Sequence, residues 1–277
     1  MCINPRQYVK KLPDGSSKII EFPCGKCSQC VSAKHSQFAM EAALEARVAK
    51  SVHLVTLTYR NDSVPIMVRR VYTEEGREYL QERYFLHGKA HQNAVRACQI
   101  KMDGSKGLGC TSVKLGTYDA PNLDTFNSFY ATPSLHREDV RLFLKKCRIQ
   151  FERQYGRKMD FRYALFGEYG DATNRPHYHG LFYDLDNEEA AFLRDRWSRD
   201  FGFCSFDSLP VFNGDGSPAR IKAANYVSKY IAKNHKYEAI DRALVEAPRR
   251  FCSRGFGTKC LTTSDIQTFK NFTDAKI

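Results

Sequence analysis

The segment from Phe161 to Leu185 constrains this chain more than any other: FRYALFGEYG and PHYHGLFYDL are two runs of strand composition separated by the polar turn DATNR. Pro176 suits the first position of a strand, where no ladder donor is needed. The pair predicts a β-hairpin. Side chains alternate across a strand, so His177 and His179 share one face and Tyr178 takes the other. With the turn centred on Ala172 and Thr173, Glu168 lies directly opposite His177 on that same face. Two imidazoles and a carboxylate with open positions can hold Mg²⁺ or Mn²⁺ against a phosphate oxygen. A bare His-x-His is also common in ordinary sheets. A cupin-type oxygenase set, with Asp184 as the acid, is the rival metal reading.

A second constellation follows at YVSKYIAK, Tyr226 to Lys233. On a helix Tyr226 and Tyr230, four apart, share a face, and Lys229 and Lys233 do the same. A phenol is a weak nucleophile near neutral pH and needs a polarised phosphate or a neighbouring cation, which Lys229 and Lys233 can supply. Packing of the tyrosines with Val227 and Ile231 is the structural alternative. The net charge of +12 points to a polyanionic partner, nucleic acid before membrane. No run approaches the roughly 18 apolar residues of a spanning helix, and the N-terminus lacks the apolar core of a secretory signal, so the expected compartment is the cytoplasm.

In a reducing compartment, clustered cysteines read as metal ligands and scattered ones as small core residues. Cys24, Cys27 and Cys30, with Cys2 folding back, offer four thiolates for a structural zinc; His35 is another fourth ligand, and a metal-free turn is the plain alternative. An iron–sulfur spacing would need a cysteine where Lys34 stands. Residues 1–35 therefore form a cysteine-rich leader. Ser36 to Lys50 predicts a helix and Ser51 to Arg60 a buried strand. From 61 to 133 no period survives, which reads as an insertion with a little strand and helix. Its basic and aromatic residues (Arg69, Arg70, Tyr72, Arg83, Tyr84, Phe85) suit single-stranded DNA. Val140, Phe143, Leu144, Cys147 and Phe151 form a helical stripe behind a Ser134 N-cap. Helices are also expected over Asn187 to Asp200 and around YVSKYIAK.

The order of these motifs, a strand ending TLTY, then GEYG and RPHYHGLFY, then YVSKYIAK, resembles the HUH superfamily of rolling-circle replication initiators. More narrowly it is similar to the initiators of microviruses, small single-stranded DNA phages of the gokushovirus-like group. PCGKCSQC at Pro23–Cys30 and FCSRGFG at Phe251–Gly257 add to the likeness. The resemblance implies an α+β fold: a central antiparallel sheet of about five strands with flanking helices, the histidine strand central and the tyrosine helix beneath the ion. The nicking domain then spans 36–277, with the 61–133 insertion. By the same resemblance Leu54 to Tyr59 is the first motif, His177 and His179 are metal ligands with Glu168 as the third, and Tyr226, Tyr230 and Lys229 are catalytic. The implied activity is a metal-dependent DNA nickase, an endonuclease and strand transferase that works through a covalent 5′-phosphotyrosine. The implied partners are a single-stranded origin and a host helicase and polymerase. A non-catalytic zinc-dependent DNA-binding protein and a plasmid relaxase are the alternatives; relaxase nucleophiles usually lie near the N-terminus.

Overall fold

The computed structural model describes residues 2–25, 27–74, 77–101, 113–119, 126–170, 175–233 and 245–259; for 72–74, 77–81, 97–101, 113–119, 126–129 and 230–233 it describes the backbone alone. In chain order the elements are β1 (Arg6–Lys11), β2 (Ser17–Phe22), α1 (Ser28–Val48), β3 (Val52–Tyr59), β4 (Ile66–Glu74), β5 (Arg77–Phe85), α2 (Gly88–Lys101), β6 (Val113–Asp119) and β7 (Phe126–Pro133). They continue with α3 (Arg137–Tyr155), β8 (Arg162–Tyr169), β9 (Pro176–Tyr183), α4 (Asn187–Asp200), β10 (Gly202–Ser208), α5 (Ala219–Lys233) and β11 (Arg250–Cys252).

The α+β architecture centres on a five-stranded antiparallel sheet of order β10-β3-β9-β8-β11. The expected hairpin is its middle, with β9 the third strand of five and covered on both faces. Its ladder pairs Glu168 with His177 and Tyr169 with Pro176, the register expected from the sequence. The expected turn residues Ala172 and Thr173 lie outside the described residues. Gly180, directly after the second histidine, is required by close packing: a Cβ there would lie 2.2 Å from the Ala164 carbonyl oxygen.

Strand alternation divides the core in two. On one face Leu57, Tyr59, Tyr178 and Phe182 pack against α3 and α4, where Val140, Phe143, Leu144, Cys147 and Phe151 form the expected stripe and Trp197 is fully buried. Asp186 caps α4 reciprocally with Glu189, which fixes its start. On the other face Ala164, Phe166, Leu181 and Tyr183 meet Phe38, Ala42 and Ala46 of α1 and Ala223, Ala224 and Val227 of α5. The histidines belong by parity to this second face.

Three local expectations are corrected. The helix expected from Ser36 starts at Ser28, because SQCVSAKH, although polar, continues the turn that sets Cys30 and Phe38 inward. Ser134 does not cap α3. His136 occupies that position without a side-chain cap, while Ser134 is buried, donates to the Leu135 carbonyl and accepts from the Glu246 amide. Between 61 and 133 the chain builds a second antiparallel sheet, β5-β4-β7-β6, plus α2, more regular than the sequence pattern suggests. Ile66 and Ala131 of that sheet join the first core, so its inward face is apolar although no long period marks it.

Candidate metal and tyrosine site

The face of β9 that carries the histidines also carries Thr56 of β3 and Glu168 of β8, one from each neighbouring strand. The histidine rings stand edge to face, their centroids 4.8 Å apart. Oε2 of Glu168 lies 3.5 Å from His177 Nε2 and 3.7 Å from His179 Nε2. A hard divalent ion with ligands near 2.1 Å spaces them about 3.0 to 3.4 Å apart, so the two carboxylate–imidazole separations are within a few tenths of an ångström of what such an ion requires. The three donor atoms lie within 4.8 Å of one another. Glu168 is buried, 4% exposed, while both imidazoles keep an accessible edge. The set thus has its carboxyl group buried at the base and opens toward solvent.

Neighbouring groups orient both rings. His177 Nδ1 lies 2.8 Å from the Arg175 carbonyl oxygen. A carbonyl only accepts, so Nδ1 carries a proton and Nε2 is the ring nitrogen turned to the site. The same carbonyl receives the Gly170 amide at 3.0 Å. The Arg175 guanidinium binds the Tyr59 carbonyl and, at 2.7 Å, Asn61 Oδ1; burial lowers its pKa. His179 Nδ1 meets Thr56 Oγ1 at 3.0 Å. Neither Thr56 nor Arg175 stood out individually in the sequence, although Thr56 lies in the TLTY strand. Beneath the site Tyr178 points the other way, its hydroxyl donating to the His136 carbonyl, and burial pushes its pKa far up. This tyrosine is structural.

Helix α5 packs on the same sheet face through Ala223, Ala224 and Val227. Tyr226 sits at the edge of that buried stripe and is 47% exposed. Lys229 Nζ lies 6.0 Å from its ring centroid. The helical backbone sets Tyr230 one turn on; its side chain, like that of Lys233, lies outside the described residues. Ser228, buried between these positions, bonds to His35 Nε2 of α1 at 2.8 Å. His35 therefore serves α5 rather than the cysteines. Asp184, the acid of the cupin alternative, is at the far end of β9, held by the Lys50 amide and Lys259.

The leader cysteines form a second cluster. Cys2 and Cys27 sulfurs are 3.8 Å apart and those of Cys24 and Cys30 3.9 Å. A tetrahedral zinc with Zn–S near 2.3 Å places its sulfurs about 3.8 Å apart. The Cys24 amide donates to Cys2 Sγ and the Cys27 amide to Cys24 Sγ. Backbone donors at Ile3 and Cys30 pull the Cys27 thiol down to about 6. At Cys30 the Gly25 amide favours the thiolate, but burial and the other sulfurs outweigh it and push the thiol up to about 12. The cluster accommodates one negative charge easily and a second only at a cost, which a cation would remove.

Residues 117–235 match the family model of the replication-associated protein ORF2. That stretch includes Glu168, both histidines and the tyrosine helix, but neither Thr56 nor the leader cysteines. The chain is similar to the replication-associated protein VP4 of Bdellovibrio phage phiMH2K, at 28% identity over 34% of this chain and 32% of that protein. The chain thus spans about a third of the length of that curated relative. Among solved structures, the N-terminal nuclease domain of the minute virus of mice non-structural protein-1 aligns at 12% identity and a TM-score of 0.22, covering 82% of this chain and 79% of that one. The sequence matches bear out the resemblance to replication initiators read from the motifs. No described helix is long and apolar enough to cross a membrane.

Proposed function

We propose that the chain nicks and rejoins single-stranded DNA to start and finish rolling-circle replication of a small phage genome, in the host cytoplasm. What carries the reading is the convergence of Glu168, His177 and His179 on the sheet face that the tyrosine helix covers. Bound there, Mg²⁺ or Mn²⁺ would act as a Lewis acid toward a phosphate oxygen at the scissile position. Tyr226 or Tyr230 attacks phosphorus in line. The new bond joins its phenolic oxygen to the 5′-phosphate, the bond to the 3′ oxygen breaks, and the leaving 3′-OH takes up a proton as the phenol loses one. Lys229 supplies positive charge beside the phenol and the phosphate. The second tyrosine cuts the regenerated origin, and the released 3′-OH reseals the circle by the reverse displacement.

A host polymerase extends the 3′-OH. A host helicase opens the duplex in this reading. In this reading residues 36–277 form the nicking domain, with 61–133 as an insertion, and 1–35 a leader in which Cys2, Cys24, Cys27 and Cys30 hold a structural zinc. A labelled origin oligonucleotide with Mn²⁺ tests it. The wild type should give an SDS-resistant adduct, and His177→Ala with His179→Ala should lose the adduct while keeping most DNA affinity, because charge supplies most non-specific binding. Undiminished nicking by that variant would remove the metal site from the mechanism.

A further inference from the structure

The β1–β2 ribbon is unusual because no described residue covers it. All six β1 residues are exposed, as are all of β2 except the half-buried Ile20. A lone two-stranded ribbon is marginal in water. Here its ends are gathered by the cysteine cluster: Cys2 precedes β1, Cys24 follows β2, and their sulfurs meet those of Cys27 and Cys30 at the start of α1. The molecule thus anchors a ribbon that its core does not use.

The six-pair register sorts the ribbon into two different faces. One holds Gln7 opposite Glu21, joined by a 3.0 Å hydrogen bond, Val9 opposite Ile19, and Lys11 opposite Ser17. The other holds Arg6 opposite Phe22, Tyr8 opposite Ile20, and Lys10 opposite Lys18. This second face carries three cations and no acid. Like charges directly across a ladder are destabilising, and Tyr8 and Phe22 stand 59% and 50% exposed beside them. Edge protection alone explains lysines on a ribbon. It does not explain aromatic rings left in water on the one face without a carboxylate. Cations interleaved with exposed aromatics suit one partner, a single strand whose phosphates meet the cations and whose bases stack on the rings.

We propose that the Arg6, Tyr8, Lys10, Lys18 and Phe22 face of this ribbon is a single-stranded DNA contact separate from the nicking site, held in place by the four-cysteine cluster. It rests on the nucleic-acid partner of the reading above but not on the nicking chemistry. The test is fluorescence anisotropy of the full chain with a labelled oligothymidine, without added divalent ion or chelator. Tyr8→Ser with Phe22→Ser should weaken binding at least fivefold, since each stacked base contributes about 5- to 150-fold. Lys10→Gln with Lys18→Gln should flatten the slope of log affinity against log salt by about 1.4, at roughly 0.7 per phosphate lost. Cys24→Ser with Cys27→Ser should reproduce the loss by freeing the ribbon. These ribbon side chains are exposed, so melting temperatures of both ribbon variants should match the wild type, which separates lost contact from lost fold. Wild-type affinity and salt slope in both ribbon variants would overturn the proposal. A change of oligomeric state with DNA affinity intact would do the same and assign the face to a second copy of the chain. The assay reads binding without nicking, so its outcome does not depend on whether the chain forms a covalent adduct.

Discussion

Replacing Thr56 by Val exchanges a hydroxyl for a methyl at nearly constant volume and removes the group 3.0 Å from His179 Nδ1. Partners that orient a metal-bound histidine typically contribute 10- to 100-fold in metal affinity, about 1.4 to 2.7 kcal/mol at 1.36 kcal/mol per decade. At a Mn²⁺ concentration 100 times the wild-type Kd, binding stabilises the wild type by about 2.7 kcal/mol. The variant, at 1 to 10 times its own Kd, gains only about 0.4 to 1.4 kcal/mol. At about 2 to 4 °C per kcal/mol for a chain of this class, the Mn²⁺-induced rise in melting temperature should fall from roughly 5–11 °C to roughly 1–6 °C. Differential scanning fluorimetry with and without Mn²⁺ reads this directly, and isothermal titration gives the affinities. The apo variant should melt only slightly lower, since a typical hydrogen bond contributes about 1 kcal/mol. Glu168→Gln, which removes the anionic ligand itself, should suppress the Mn²⁺ response more strongly. An unchanged response in Thr56→Val would show that His179 is not oriented through Thr56.

Phe38 is fully buried between Phe166 and Phe256, and Phe38→Ala should cost about 3–5 kcal/mol by urea denaturation. Smaller losses would mean that α1 repacks. Glu45, 1% exposed, pairs with Arg162 and accepts the Gly257 amide, tying α1, β8 and the FCSRGFG segment together. Glu45→Ala should cost about 3 kcal/mol, the low end for a broken buried pair because Arg162 keeps the carbonyls of Arg254 and Gly255; a chemical denaturation midpoint unchanged within error would refute this. Burial opposes the charge on His136, but Asp139, 2.9 Å away, outweighs it and raises the His136 pKa. That contribution is fully present below the ordinary histidine value near 6.5 and is lost as pH rises through the raised folded value. Asp139→Asn should therefore flatten the decline in stability as pH rises above the ordinary histidine value of about 6.5, measured as melting temperature against pH.

The hairpin was legible because several independent signals agree on its register: Pro176 at the strand start, the polar turn, and alternation that buries Tyr178 while presenting both histidines. The stripe on α3 was legible for the same reason, since every residue in it is buried. Thr56 was not, because a threonine on a strand is ordinary and its role depends on the β3–β9 pairing, a contact across more than a hundred residues. His35 looked as though it belonged with the nearby cysteines; the packing of α1 on α5 turns it toward Ser228 instead. The sheet β5-β4-β7-β6 escaped notice because its strands lack the sustained alternation of the hairpin. The leader illustrates the opposite case: its cysteine spacing announced a cluster, but the ribbon clasped between Cys2 and Cys24 became visible only in its pairing register.

Peptide mapping by mass spectrometry of the adduct formed with an origin oligonucleotide and Mn²⁺ addresses the central claim most directly. The account predicts a 5′-phosphodiester on the α5 peptide at Tyr226 or Tyr230, a free 3′-OH on the released fragment, and no adduct from Tyr226→Phe with Tyr230→Phe. A covalent link at any other residue, or Mn²⁺-dependent cleavage with no protein attached to either end, would contradict it.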